Sequence, residues 1–241
     1  MQDANRSDKL ELVSRCEPFT DLSERSLWQL SDHAELDRRD GGEVLWEEGD
    51  PPCCISLITA GTLKRVGTRD DGREFILDLR HSGEFVGYDA LGSADGRRTR
   101  TEALSEARLL RFREAPPFSV LEPHPSVLEA FVDELERSRS ALIDRLQQLC
   151  TAGAERRLAM VFARLAEHRG HPRTFDDGAR GIWRSDLAGL INTRIETAIR
   201  LMSDWRNADL IRTDPDGFAL YDPNAIRALA RGEDSDTERP P

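Results

Sequence analysis

The sequence has no apolar run approaching the roughly 18–20 residues that a membrane-spanning helix requires, although 38% of its 241 residues are hydrophobic. No membrane span is expected, and there is enough apolar material for a core in each of two modest domains. The polar, acid-containing start MQDANRSDKLELVSRC lacks the apolar stretch and small-residue cleavage site of a secretory leader, which predicts a cytoplasmic protein. Cysteine is scarce. Cys16, Cys53, Cys54 and Cys150 are scattered and form no C-x-x-C pair, so neither a disulfide scaffold nor a structural zinc site is expected. A surplus of positive charge is also missing: 34 Lys+Arg stand against 45 Asp+Glu, a formal charge of −11. That argues against a general polyanion binder, while leaving room for a local face of donors. No H-E-x-x-H, P-loop, G-x-G-x-x-G or G-x-S-x-G motif occurs, and the acids are spread along solvent faces rather than gathered near a histidine. No enzyme is expected.

What is there falls into an α+β order. From about Leu12 to Leu36, the spacing of Leu22, Leu27, Leu30 and Leu36, with Ser23 as N-cap, predicts short helices. From Asp40 to about Phe112, brief alternating runs punctuated by glycine take over: GGEVLW, CCISLIT, AGTLKRV and EFILDLR. In the last run Phe75, Leu77 and Leu79 share one face and Glu74, Ile76 and Asp78 the other, a strand period. Asp71-Gly72 between two such runs predicts a hairpin, and many short strands at close spacing predict a barrel or roll. After Pro116-Pro117 and His124-Pro125 comes a long helical segment in which Leu128, Val132, Leu135, Leu142, Leu146 and Leu149 recur at spacings near four and three, interrupted by Arg139. This a/d-like seam calls for a partner helix, either a second copy of the chain or the chain's own β region. A further helix runs from about Glu155 to His168, then two helical stretches, SDLAGLIN and TRIETAIRLMSDWRNADLI, separated by a short break, and a hairpin with its tip at Asp216-Gly217. Helix, turn, longer helix and β-hairpin make the layout of a winged helix-turn-helix. The predicted domains are 1–123, a β-roll sensor; 124–150, a dimerisation helix; 151–230, the winged helix-turn-helix; and 231–241, a tail with almost no apolar residues that is expected to be disordered.

Two stretches carry a family resemblance. One runs from Gly49-Asp50 through Ala60-Gly61-Thr62 and Asp71-Gly72 to Gly83-Glu84-Phe85-Val86-Gly87-Tyr88-Asp89-Ala90-Leu91-Gly92-Ser93; the other is Asp186-Leu187-Ala188-Gly189 followed by Ile195-Glu196-Thr197-Ala198-Ile199-Arg200. With the element order, they resemble the Crp/Fnr family of bacterial transcription regulators from about Phe19 to Leu229, the G-E-F-V-G-Y-D-A-L-G-S run being closer to the Fnr branch than to the cyclic-AMP receptor branch. The resemblance implies a cyclic-nucleotide-binding-like β roll or jelly roll, a homodimer on a pseudo-palindromic DNA site, and RNA polymerase as a partner. The residues support the reading helix independently. Ile195, Glu196, Ile199 and Arg200 share one helix face and Ala198, Leu201, Met202 and Trp205 the other. Arg200 can bond guanine O6 and N7, and Glu196 can accept from cytosine N4. Arg194, Ile195, Thr197 and Ile199 complete the predicted DNA-binding set, Ile199 standing where Fnr-like readers have a small polar residue and suited to a thymine methyl. Alternatively, Glu196 forms a capping box with Thr193, and Arg200 pairs with Asp204. Arg194 stands where the family usually has Ser or Thr, which moves the expected cap to Thr193 or Asn192; Asn192 replaces a turn glycine.

The resemblance also implies candidates for what the β roll senses. A cyclic nucleotide would use Gly83 and Glu84 at the ribose and Arg97-Arg98, or Arg98-Thr99 after a one-residue shift, at the phosphate; the alternative for these basic residues is a solvated turn. The Fnr branch holds an iron-sulfur cluster on cysteines, but the N-terminal trio is missing here, so Cys16, Cys53, Cys54 and Cys150 are candidates for a non-standard cluster or a thiol switch, or else small buried hydrophobes. His81 beside Gly83 is a haem candidate or an ordinary hydrogen-bonded histidine. A competing function is a cyclic-nucleotide-binding module acting through protein contacts, because the arginines around the reading helix are matched by nearby acids.

Overall fold

A computed structural model describes residues 2–15, 19–20, 22–88, 96–113, 125–167, 182–214 and 217–233. The chain divides into two compact units, Met1–Gly67 with Leu77–Leu142, and Thr68–Ile76 with Ile143–Pro241. The Asp71-Gly72 hairpin tip therefore groups with the second unit, and the division between the units falls inside the long helix.

In the first unit, α1 (Gln2–Ser14) and α2 (Glu24–Asp32) precede eight strands. Ser23 caps α2 as expected, accepting from Ser26 N. The strands are β1 (Ala34–Arg39), β2 (Val44–Trp46), β3 (Cys54–Ala60), β4 (Thr62–Thr68), β5 (Glu74–His81), β6 (Phe85–Val86), β7 (Arg100–Ala103) and β8 (Ala107–Arg113). They form two four-stranded sheets, ordered β1-β8-β3-β6 and β2-β7-β4-β5. The recorded pairings are antiparallel, and the roll is two open sheets rather than a closed barrel. Strand β3 shows why its sequence is apolar throughout: Ile55 and Leu57 join Phe19, Leu22, Leu30, Leu110 and Phe112 on the helix side, while Ile58 joins Leu45, Trp46, Leu63 and Leu109 between the sheets. A strand covered on both faces reads as a run rather than an alternation.

Leu36 corrects the helical reading that ended there. It lies in β1, paired with Leu110 of β8, because the ladder from Ala34↔Phe112 to Arg39↔Ala107 satisfies the backbone of a segment with no buried helical face. Strand β5 keeps its predicted faces, but its most buried side chains are Ile76 and Arg80, on the side shared with Asp78. The Asp71-Gly72 turn is present: Gly72 takes φ +78° and Arg69 N donates to Arg73 O at 2.8 Å. Gly61, φ +85°, is required by space as well, since a Cβ there would lie 2.1 Å from Glu106 O.

Helix α3 (Pro125–Thr151) spans the division. The second unit continues with α4 (Ala154–Glu167), α5 (Arg184–Leu190), α6 (Ile195–Asn207), the antiparallel pair β9 (Ile211–Asp214) and β10 (Gly217–Leu220), and α7 (Pro223–Arg231). Its core centres on Phe162, 5.7 Å from the Trp205 ring and 6.1 Å from Phe218, edge to face. Trp205 Nε1 donates to Glu155 at 3.0 Å, which satisfies the one polar atom the buried indole carries. Asp222 caps α7 and Gly232, φ +75°, ends it. Of the predicted hairpin tip Asp216-Gly217, Gly217 lies instead in β10, paired with Asp214, while Asp216 and the tail from residue 234 lie outside the described residues.

Candidate nucleic-acid interface and effector site

The reading helix follows its sequence pattern. Ala198, Met202 and Trp205 are buried, while Arg194, Ile195, Glu196, Ile199 and Arg200 are exposed and Thr197 is intermediate. The N-cap is Arg194, with no side-chain cap bond, which corrects the expectation of Thr193 or Asn192. Glu196 does not fold back in a capping box, and Arg200 has no ion pair with Asp204. Both residues are exposed on the helix surface. Asn192 takes φ +51° in the turn, the left-handed conformation that asparagine tolerates better than most residues. Helix α5 is closed at its start by the Asp186 carboxylate, which accepts from Trp183 N at 2.8 Å.

The predicted effector residues lie in the roll, where Arg97 and Glu84 are hydrogen-bonded to the protein's own backbone. Gly83 makes the turn after β5, φ +91°, and Glu84 accepts from His81 N at 2.9 Å. Arg97 is only 2% exposed; its guanidinium donates to Cys54 O at 2.6 Å and Gly87 O at 3.1 Å and lies 4.1 Å over the Trp46 ring. Arg98 is exposed and Thr99 half-buried. Cys54, buried, begins β3, with Cys53 exposed just before it rather than in the strand, and Cys150 is exposed on α3. Two guanidiniums donate to the Cys54 sulfur, Arg97 at 3.7 Å and Arg111 at 3.6 Å. Cys16 lies outside the described residues.

A charged cluster absent from the sequence reading ties the roll to α3. Arg80, 6% exposed, lies 3.2 Å from Asp78, 4.0 Å from Glu84 and 3.7 Å from Glu134, and donates to Ser138 Oγ. Asp78 also takes Arg65 at 2.7 Å, and Glu134 takes Arg137 at 3.2 Å. The buried Tyr88 hydroxyl has no hydrogen-bond partner among the described residues. Burial pushes the Tyr88 phenol well up, with the Glu134 charge adding to it. The available signal in the sequence was Arg80 itself, a charge at i+4 from Ile76 and i+2 from Asp78 on one strand face.

Burial, then the neighbouring Glu84 charge, raises Glu134 above its ordinary 4.5, with Arg137 and Arg80 opposing. A carboxyl raised in the folded state holds its proton more tightly there, so stability falls as pH rises from the ordinary value through the raised one. Glu134→Gln is expected to flatten that fall, read as the urea midpoint across pH 4 to 7; an unchanged profile would assign it to other groups.

Two family models match the chain: a cyclic nucleotide-binding domain over residues 38–122 and a Crp-like helix-turn-helix domain over residues 156–229. The chain belongs to the Crp/Fnr family of transcription regulators. It is 26% identical over 222 residues to the electron transport regulator A of Shewanella oneidensis, and 25% identical over 224 residues to the fumarate and nitrate reduction regulatory protein of Escherichia coli; each alignment covers 89% of this chain and 86% of the relative. Among solved structures it resembles the c-di-GMP-responsive regulator CLP of Xanthomonas campestris (TM-score 0.71, 21% identity, 83% of this chain and 100% of that one) and FixK2 of Bradyrhizobium japonicum (0.70, 16%, 81% and 96%), a likeness of fold. As a Crp/Fnr regulator it is a DNA-binding protein rather than an enzyme.

The family's two sensor chemistries can be tested against these residues. A cyclic phosphate needs a cation with free donors; Arg97 and Glu84 are hydrogen-bonded to the protein's own backbone, whereas Arg98 is exposed with Thr99 half-buried beside it. Among the described residues no group of three or more His, Cys, Asp or Glu is placed to hold a metal, so the described cysteines do not by themselves fit an iron-sulfur cluster.

Proposed function

We propose that the protein is a homodimeric regulator that binds a pseudo-palindromic DNA site, with Arg200 and Glu196 reading a G·C step in each half-site. The observation that carries this reading is the exposed face of α6, Arg194, Ile195, Glu196, Ile199 and Arg200, standing over buried Ala198, Met202 and Trp205. Dimerisation through α3 is supported by its exposed Val132, Leu135 and Leu146, to which Ile143 adds; Leu142 and Leu149 of the predicted seam are half-buried, and the Leu128 side chain lies outside the described residues. Two reading helices related by a two-fold axis would enter successive major grooves about 34–36 Å apart. The β roll would receive an effector or redox signal and pass it along α3, with RNA polymerase as the downstream partner.

Selection from random DNA with the full-length protein tests the reading, and a palindrome bound with a steep salt dependence is the expected result. Arg200→Ala should then cost about 1–3 kcal/mol and relax preference at one position per half-site. Equal weakening on every sequence would make Arg200 a phosphate contact. Failure to select any DNA would favour the alternative, a module acting through protein contacts.

A further inference from the structure

Three guanidiniums from three different elements close on the turn between α5 and α6. Arg157 of α4 donates through Nε to Ile191 O at 2.8 Å and through Nη1 to Ala152 O at 2.5 Å. Arg145 of α3 donates to Leu190 O, and Arg69 at the β4–β5 turn donates to the Asn192 side chain. The last carbonyls of a helix have no partner within it, so Leu190 and Ile191 offer acceptors, and arginine's planar fork can serve two at once. The Arg157 pair is the informative one, because its two acceptors belong to different places. Ala152, 7% exposed, lies at the break between α3 and α4, and Ile191, 0% exposed, lies in the helix-turn-helix turn.

We propose that Arg157, supported by Arg145, is the positioning residue that ties the end of the dimerisation helix to the reading helix and so sets the separation of the two reading helices on DNA. The backbone argues for it. The turn already closes on itself through Ile191 N to Leu187 O at 2.9 Å and Thr193 N to Ala188 O at 3.0 Å, so α5 and α6 move together. The break at residues 152–153, in contrast, has Gly153 with open space around it. A pivot there would let the DNA-binding helices swing freely on α3; the guanidinium that spans the break and the turn removes that freedom. The signal proposed above, travelling along α3, then reaches α6 through this bridge rather than through a loose hinge.

The inference rests on the dimeric DNA-reader reading, and the experiment separates the two. Full-length wild type, Arg157→Ala and Arg157→Lys are compared on the selected palindrome and on versions with the centre lengthened or shortened by one base pair. Wild type is expected to discriminate strongly between spacings. Arg157→Ala should lose about tenfold of that discrimination, the scale of a charge-assisted hydrogen bond, while a single half-site is bound as before, and lysine, without the fork, should not restore it. Equal weakening on all spacings, or no change, overturns the proposal. Hydrogen exchange on the DNA-free protein supplies a second readout: the amides of Ile191 and Thr193 should exchange faster in Arg157→Ala with the urea midpoint little changed. If wild type selects no palindrome, the reader fails on its own account and exchange alone decides the bridge, with unchanged protection overturning it.

Discussion

Aspartate at both Val132 and Leu146 is expected to leave the protein monomeric and to lower its affinity for a palindromic site by about 10²–10⁴-fold, the gain that linking two half-site contacts supplies. The two side chains are 62% and 61% exposed, and Leu135 and Ile143 lie between them at 40% and 41%. Four aliphatic side chains set out to water along one helix cost free energy unless a partner covers them. A second copy supplies the same stripe with two-fold symmetry, and an aspartate in each stripe would bring like charges together in a desolvated seam. Sedimentation gives the oligomeric state and titration of labelled DNA the affinity. A variant that remains dimeric would place the dimer contact elsewhere, and a monomeric variant with undiminished affinity would remove the two-half-site reading.

Arg80→Ala should destabilise the first unit by about 2–3 kcal/mol, because it takes a buried guanidinium away from three acids at once and leaves Asp78 and Glu134 only their second arginines, Arg65 and Arg137. The three acids are Asp78, Glu84 and Glu134, the last held on α3. Urea unfolding measures the loss. The double change Arg80→Met with Glu134→Leu, which removes charges from both sides, should recover much of it, since a well-packed apolar replacement often matches a buried pair. A loss below about 1 kcal/mol for the single variant, the range of exposed pairs, would mean that water still reaches the cluster and that α3 is held to the roll by other contacts.

The two outcomes bear on signalling differently. The first asks whether α3 has the partner its exposed side requires. The second asks how firmly its other side is fastened to the roll, through Arg80 to Glu134 and Ser138. A helix fastened on one side and paired on the other can carry a change in the roll toward the DNA-binding unit, with Arg157 as the next link.

The parts legible in the sequence are those set by neighbours within a few residues. Period 3.6 separated Ala198, Met202 and Trp205 from Glu196, Ile199 and Arg200 before any fold was known, since those positions are fixed by one helix alone. The same holds for Ser23 as a cap and Asp71-Gly72 as a turn. Family resemblance supplied the order of the domains, later borne out by the family models. What tertiary structure decided is what depends on residues distant in the chain. Leu36 belongs to a strand because β8, more than seventy residues on, pairs with it. Arg97 reads as a charge beside Arg98 and Thr99 in sequence, and the fold brings it onto the carbonyl of Cys54, 43 residues away. Arg80 meets Ser138 across 58 residues, and Arg157 reaches Ile191 across 34. A guanidinium in a sequence is a charge with five donors and no stated destination; whether it reads a base, clamps an anion or holds the backbone in place is settled by which acceptors the fold leaves within its reach.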